Sequence, residues 1–307
     1  MGRVAVVGAS GFVGSAVCDA LIRRGHDVVR LQAPRIDTSA NITDNNAALT
    51  SIRQELANCV SLVNAAGVSE ATGTNSNEMT AANGTLPGVI GRACADAGVR
   101  FIHVSSAAVQ GRKEVLDADP STMPFSAYSN SKALGESNAL NYGQTCVYRP
   151  PGVHGADRAV TQTIAKLARS RLSSVAGDGS RNTAQALIGN VADAIAFLAT
   201  CDEPPPPIVS HPSEGLTTAS LLEALGGKTP ARIPTTFARG LVSAAFVAGR
   251  TRGALTGHAR RLEMLWLGQG QSESWLTTAG WSPPHHRDSW RELGRALAGD
   301  TDWKDIE

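Results

Sequence analysis

Apolar residues along the first half of the chain gather into short unbroken runs. Arg3 to Val7, Asp27 to Leu31, Cys59 to Asn64 and Val99 to Val104 each read as a strand. None alternates with polar residues, as expected of strands covered on both faces. Between them lie stretches at helical spacing: Ser15 to Arg24, closed by Gly25; Asp44 to Ala57, with Asp44 as its N-cap; and Gly84 to Ala97. Strand and helix in alternation predict an α/β fold, a doubly wound parallel sheet with helices on both sides. After Arg149 the rhythm changes and the period is harder to read. Pro204 to Pro207 cannot be helix interior and leads into a late strand, Ile208 to Ser210. The division expected is a first domain over 1–153, rejoined by a segment near 187–212. A smaller, less regular C-terminal domain takes 154–186 and 213–307.

Gly8, Gly11 and Gly14 stand in GASGFVG, directly after the first strand and at the mouth of the first helix. A tight turn needs their freedom, and a pyrophosphate needs bare backbone N–H groups at a helix start. Such a turn would hold a dinucleotide with Gly8, Ser10, Gly11, Phe12, Val13 and Gly14. Dinucleotide sites often carry an acid at the end of the second strand for the adenosine ribose. No carboxylate stands there; Arg30 and Arg35 do, and either suits a 2′-phosphate. The stretch leans to NADP over NAD, the plain alternative being that both arginines are solvated.

Tyr128 and Lys132 are four apart in YSNSK, on one face of a helix. Ser106 follows the strand ending at Val104, at the sheet edge where ligands bind. Asn83 precedes the helix before that strand. A free phenol has a pKa near ~10, too high for ready proton exchange at neutral pH. A nearby ammonium lowers it. Tyr128 is thus the candidate acid/base, Lys132 its activator, Ser106 the group that orients the substrate oxygen, and Asn83 the anchor of a water path behind Lys132.

Charge and composition narrow the partners. Lys and Arg number 28 against 27 Asp and Glu, net +1, without the basic footprint of a nucleic-acid binder. No apolar run approaches the ~20 residues that cross a bilayer. Val4 to Val7 is far shorter than a signal-peptide core. Cys18, Cys59, Cys94, Cys146 and Cys201 are scattered and odd in number, as in a reduced, cytoplasmic protein. No metal site is expected: His285 and His286 have no third ligand at suitable spacing.

In order, GASGFVG, NAAG (64–67), NGT (83–85), HVSSAAVQG (103–111), PFSAYSNSKALGE (124–136), RPPGVHG (149–155), GDGS (177–180) and NVADAI (190–195) resemble the extended short-chain dehydrogenases/reductases, the NAD-dependent epimerase/dehydratase family. The resemblance runs over roughly residues 1 to 200, with GWSPP (280–284) similar to the family's late stretch. It implies a Rossmann-type fold. It also implies that Ala65, Ala66 and Gly67 line the ribose and phosphate path, that Asn41 and Ile42 touch adenine, and that Pro150, Pro151 and Val153 border the nicotinamide. A homodimer through the Tyr128 helix and its predecessor is implied as well. Only a short stretch separates Gln32 from Asn41, so the family's third strand is clipped or missing, a spacing similar to the dTDP-4-keto-rhamnose reductases.

The departures matter as much. The 4,6-dehydratases carry an Asp–Glu pair where this chain has Ala107 and Ala108, so dehydration is disfavoured. Gly152 replaces a common Asn, His154 a Tyr, and Thr183 an Arg, with Arg181 two residues early. In the family that the sequence resembles, the missing Asn and Arg serve the substrate's diphosphate side. Arg250, Arg252, Arg260 and Arg261 are possible substitutes or simply a solvated face. Trp266, Trp275, Trp281 and Trp290 are mostly core candidates. The expected function is an NAD(P)-dependent oxidoreductase acting on a sugar carbon, foremost a nucleoside-diphosphate-sugar ketoreductase. The alternatives are a nucleotide-sugar epimerase with tightly held NAD and, from another class, a non-catalytic NADP-binding regulator.

Overall fold

A computed structural model describes residues 2–38, 41–69, 76–249 and 253–299. Six parallel strands form the central sheet: β1 (Arg3–Val7), β2 (Asp27–Leu31), β3 (Cys59–Asn64), β4 (Arg100–Val104), β5 (Thr145–Arg149) and β6 (Ile208–Ser210), in the order β6-β5-β4-β3-β1-β2. The unalternating runs have a direct cause. Val4 and Val6 pack into one core while Ala5 and Val7 pack into the other. Helices α1 (Phe12–Arg23) and α6 (Ile188–Thr200) cover the first face; α2 (Asn46–Glu55), α3 (Leu86–Ala97) and α4 (Ala127–Leu140) cover the second.

Helix boundaries depart from the periodicity at three starts. α1 begins at Phe12 rather than Ser15, because Gly11 caps it and the glycine turn feeds straight into the first turn. α2 begins after Asn45, not Asp44. Asp44 closes a short 3₁₀ turn, Ile42–Asp44, and Asn45 is the buried residue that bonds Asp37 and Asn41. α3 is preceded by a π-helical turn, Thr80–Thr85, that carries Asn83. No strand lies between β2 and α2 among the described residues, so α2 alone makes the crossover from β2 to β3.

Beyond β5 the chain builds a second core. It joins α5 (Ala159–Arg169), α7 (Thr218–Gly226), α9 (Gly253–Leu267) and α10 (Arg287–Ala298) through Ile164, Leu221, Leu225, Leu265, Trp290 and Leu293. α8 (Thr235–Gly249) packs on α9. Short strand pairs stitch this region together: Gly152–His154 with Gln185–Leu187, and Ser174–Ala176 with Ala231–Ile233. Among the described residues no helix is long and apolar enough to cross a membrane.

Candidate active site

The strand order reverses at β1, whose neighbours β2 and β3 are reached in opposite directions, and the crevice beyond the ends of β1 and β3 is the switch point where ligands bind. Gly8 there has φ +81°, and a Cβ on it would lie 2.6 Å from Ala66 N; a Cβ on Gly14 would lie 2.0 Å from Gly8 O. Packing within the chain therefore dictates both glycines. Gly11 differs: its φ of −80° suits any residue and it is exposed. A bare Gly11 leaves the mouth of α1 open, with no acid in the helix's first turn. Ser10 is exposed beside it, and Phe12 and Val13 are half-buried. An uncrowded helix N-terminus without negative charge fits a pyrophosphate.

The β3 end ties this cradle to α4. Ala65 N donates to Val7 O at 2.9 Å and Ala66 N to Asn64 Oδ1 at 3.1 Å. A Cβ on Gly67 would lie 2.8 Å from Asn83 Oδ1 and 3.1 Å from Lys132 Nζ. The glycine-lined crevice and the lysine thus share one wall.

A reciprocal cap between Ser126 and Ser129 starts α4, and Tyr128 sits half-buried in the first turn. Lys132 is one turn on, buried, donating to Val104 O at 3.0 Å. Burial lowers its pKa to about 8, with the charge of Glu136 opposing the shift. Of the two serines after β4, Ser105 is spent: its hydroxyl donates to Glu136 Oε1 at 2.5 Å. Ser106 caps the 3₁₀ turn Ala107–Gln110, accepting from Ala108 N at 3.2 Å, which leaves its hydroxyl proton uncommitted. Asn83 is buried, its amide clamped to Val68 N and O at 2.9 and 2.8 Å and to Ser131 Oγ at 3.0 Å. It fixes the Gly67 segment against α4.

Behind this face lies a buried ion pair. Arg149 and Glu136 are 1 % and 3 % exposed, 2.6 Å apart, and Arg149 Nη1 also donates to Asp119 O at 2.6 Å. The pair joins α4 to the end of β5. His103 on β4 is held neutral, its pKa far below the usual value through burial and then the charge of Lys132.

Other expected residues fall into place unevenly. Arg30 shares the α1-facing side of β2 with Val28 and lies 3.9 Å from Asp19 of that helix. Arg35 lies past the strand end, exposed and without a carboxylate partner among the described residues. Ile42 packs where a Cβ on Gly88 would stand, and Asn41 bonds Asp44. Pro150 and Pro151 are buried, Pro150 O accepting from Ala107 N at 2.8 Å, and Val153 joins the α1-side core.

The departures in the substrate region have a local explanation. A Cβ on Gly152 would lie 2.2 Å from Gln185 Oε1, and that oxygen is 2.7 Å from His154 Nε2. Gln185 thus occupies the space a side chain at 152 would need, and the Gly152 and His154 changes are one coupled rearrangement. His154 is a core residue against Trp290, its pKa lowered by burial to about 4. Thr183 is buried and Arg181 exposed. Arg260 is consumed by Glu263, Gln269 and Gly111 O. Arg250 and Arg252 lie outside the described residues. His285 packs on Gly189, and among the described residues no group of three or more His, Cys, Asp or Glu is placed to hold a metal.

One cation escapes the sequence reading. Arg158 caps α5 and lies 4.9 Å over the ring of Phe12, in the glycine turn itself. It is half-buried and pairs with no carboxylate among the described residues. Burial lowers its pKa; the nearby Tyr128 opposes this and the charge of Arg261 adds to it. Arg158 is thus the arginine that lies near the tyrosine, with Arg261 near it in turn. The only signal in the sequence is an arginine three residues beyond RPPGVHG, which does not separate it from a surface residue.

A parallel sheet with this cradle at its switch point, and a tyrosine and a buried lysine beside it, defines a Rossmann-type dinucleotide-binding protein. The model of the NAD dependent epimerase/dehydratase family matches residues 4–209, and the chain belongs to that family. It is 34 % identical over 146 residues to a dTDP-4-dehydrorhamnose reductase of Mycobacterium tuberculosis, a match covering 45 % of each chain. The chain thus matches less than half the length of the curated relative. Among solved structures it is similar in fold to dTDP-4-dehydrorhamnose reductase from Bacillus anthracis in complex with NADP, with a TM-score of 0.65, 14 % identity, and 98 % and 100 % of the two chains covered. UDP-glucuronic acid 4-epimerase from Bacillus cereus in complex with NAD gives 0.65, 19 %, and 98 % and 99 %.

Proposed function

We propose that this chain reduces a carbonyl carbon of a nucleotide-activated sugar with NADPH. The observation that carries the reading is the shared wall: Gly67 lies against Lys132, so Tyr128 one turn away opens on the same crevice as the glycine turn. A bound nicotinamide supplies the hydride. Ser106 donates a hydrogen bond to the substrate oxygen, and Tyr128 delivers the proton that oxygen needs once its carbon is reduced. Lys132, charged, makes the phenol a stronger acid. Arg35, rather than Arg30, suits a 2′-phosphate, because it is exposed beyond the strand end. Arg158, over the Phe12 ring of the glycine turn, places positive charge beside the crevice, as the diphosphate of such a substrate requires. A cytoplasmic setting with five unpaired cysteines, and pairing of two copies over the α4 face that exposes Leu134, belong to the same reading.

NADPH oxidation against a panel of nucleoside-diphosphate keto-sugars tests it. Tyr128→Phe should cut turnover by roughly 10²–10⁴-fold with NADPH binding kept; near-normal turnover would remove Tyr128 from the chemistry. A lower KM for NADH than for NADPH would overturn the assignment of Arg35. Stoichiometric NAD retained through purification would move the reading to an epimerase, and cofactor binding without turnover to a regulator.

A further inference from the structure

We propose that Arg260 is a positioning residue for Ser106, holding from α9 in the second core the turn that places the serine's hydroxyl. The role rests on the reading of Ser106 as the group that hydrogen-bonds the substrate oxygen. Ser106 does not fix its own hydroxyl. Its Oγ is set by Ala108 N at 3.2 Å, so its place follows the 3₁₀ turn Ala107–Gln110. The front of that turn is tied to the chain leaving β5, Ala107 N donating to Pro150 O at 2.8 Å. Its far end, Gly111, is tied to the second core. Arg260 Nη2 donates to Gly111 O at 2.9 Å, Gly111 N donates to Ala108 O at 3.1 Å, and Ala108 N donates to Ser106 Oγ. Three hydrogen bonds in series thus join a buried guanidinium to the candidate catalytic hydroxyl.

The anchor suits this end of the turn closely. Gly111 has φ +57°, and a Cβ on it would lie 2.1 Å from Met123 O, so the turn ends in a conformation that leaves no room for a side chain. Its carbonyl accepts from Arg260 Nη2 and, at 3.4 Å, from Gln269 Nε2. Gln269 Nε2 also donates to Lys113 O at 2.6 Å, and Gly270–Gln271 pairs with Val115–Leu116 just beyond. The guanidinium is itself fixed: Nη1 meets Glu263 Oε2 at 2.6 Å and Nη2 meets Gln269 Oε1 at 2.7 Å, with all three side chains buried. A rigid planar fork can serve these acceptors at once, which the point charge of a lysine does less well. Glu263 also takes Arg112 Nε at 3.0 Å, so it keeps a cation when Arg260 is replaced.

Amide hydrogen exchange of the full chain, followed by NMR without substrate, gives the first test. Arg260→Met should speed exchange at Ala108 about tenfold, the worth of one hydrogen bond, and leave Ile102 of β4 at the parent rate. In NADPH-dependent reduction the same variant should lower kcat about tenfold and keep the KM for NADPH. Added to Ser106→Ala it should cost less than about twofold more, since a residue acting through Ser106 has nothing left to place. Arg112→Met, which takes the other cation from Glu263, should leave kcat within about twofold. Arg260→Lys keeps the charge beside Glu263 without the fork and should shift exchange and kcat about threefold, which gives a reading even if the methionine variant does not fold. Parent-rate exchange at Ala108, a full tenfold loss on top of Ser106→Ala, or an equal loss from Arg112→Met would overturn the proposal. A parent chain that reduces no keto-sugar would remove the ketoreductase reading, while exchange at Ala108 would still decide whether Arg260 holds the turn.

Discussion

The wall behind Tyr128 and the mouth in front of it treat arginine in opposite ways. Behind, Arg149 is sealed from water and saturated: Nε and Nη2 meet Glu136 at 3.0 and 2.6 Å, and Nη1 meets Asp119 O at 2.6 Å. In front, Arg158 is only half-buried, rests on the Phe12 ring and meets no carboxylate among the described residues. A saturated buried pair holds geometry, because neither partner has anything left to offer a ligand. A partly desolvated cation with donors to spare is poised for an anion. Lys132 stands between the two cases, buried like Arg149 yet, among the described residues, bonded only to the carbonyl of Val104.

Breaking the back wall should have the largest effect. Glu136→Leu strands the Arg149 charge in the core and should cost about 3–5 kcal/mol of unfolding free energy, read from urea melts. A loss under ~1 kcal/mol would show that the pair does not hold α4 to the sheet. Breaking the front should touch binding alone. Arg158→Ala should raise the KM of an anionic substrate roughly 10–100-fold, with stability within ~0.5 kcal/mol and part of the loss restored by Arg158→Lys. A shift in the melt instead of KM would make Arg158 a packing residue.

The intermediate case shows itself through pH. Lys132 in the folded, unliganded chain has its pKa lowered to about 8, below its unfolded value. Between the two values the unfolded chain holds the extra proton, so stability should rise with pH across that window. The slope should be at most ~1.4 kcal/mol per pH unit. Lys132→Met should remove that rise and stabilise the unliganded chain below pH 8; urea midpoints on either side of that pH check both. An unchanged slope in the variant would mean that other groups titrate there.

The sheet was legible because its signals are local. β1, β2, β3 and β6 fall on the runs Arg3–Val7, Asp27–Leu31, Cys59–Asn64 and Ile208–Ser210. β1 and β6 are buried on both faces and so leave unbroken apolar runs, while β2 at the sheet edge is only partly covered and carries the exposed Asp27 and Arg30. The glycine turn and the Tyr128–Lys132 spacing were equally plain, each being set within one turn of chain. α8 was not, because a helix apolar on every side has no period to read.

The sequence by itself therefore determined the strand and helix alternation, the cradle glycines and the phenol and ammonium of one helical face. Only the tertiary structure decided which arginine each carboxylate would claim. It withdrew Arg260 and Arg149 into ion pairs, turned Arg30 toward α1, let Gln185 fill the space beside Gly152, and left Arg158 at the mouth. Arg260 takes Glu263 three residues on, but Arg112 reaches the same Glu263 from the far side of the chain and Arg149 reaches back to Glu136. Which partner wins depends on packing and burial, which spacing along the sequence does not record.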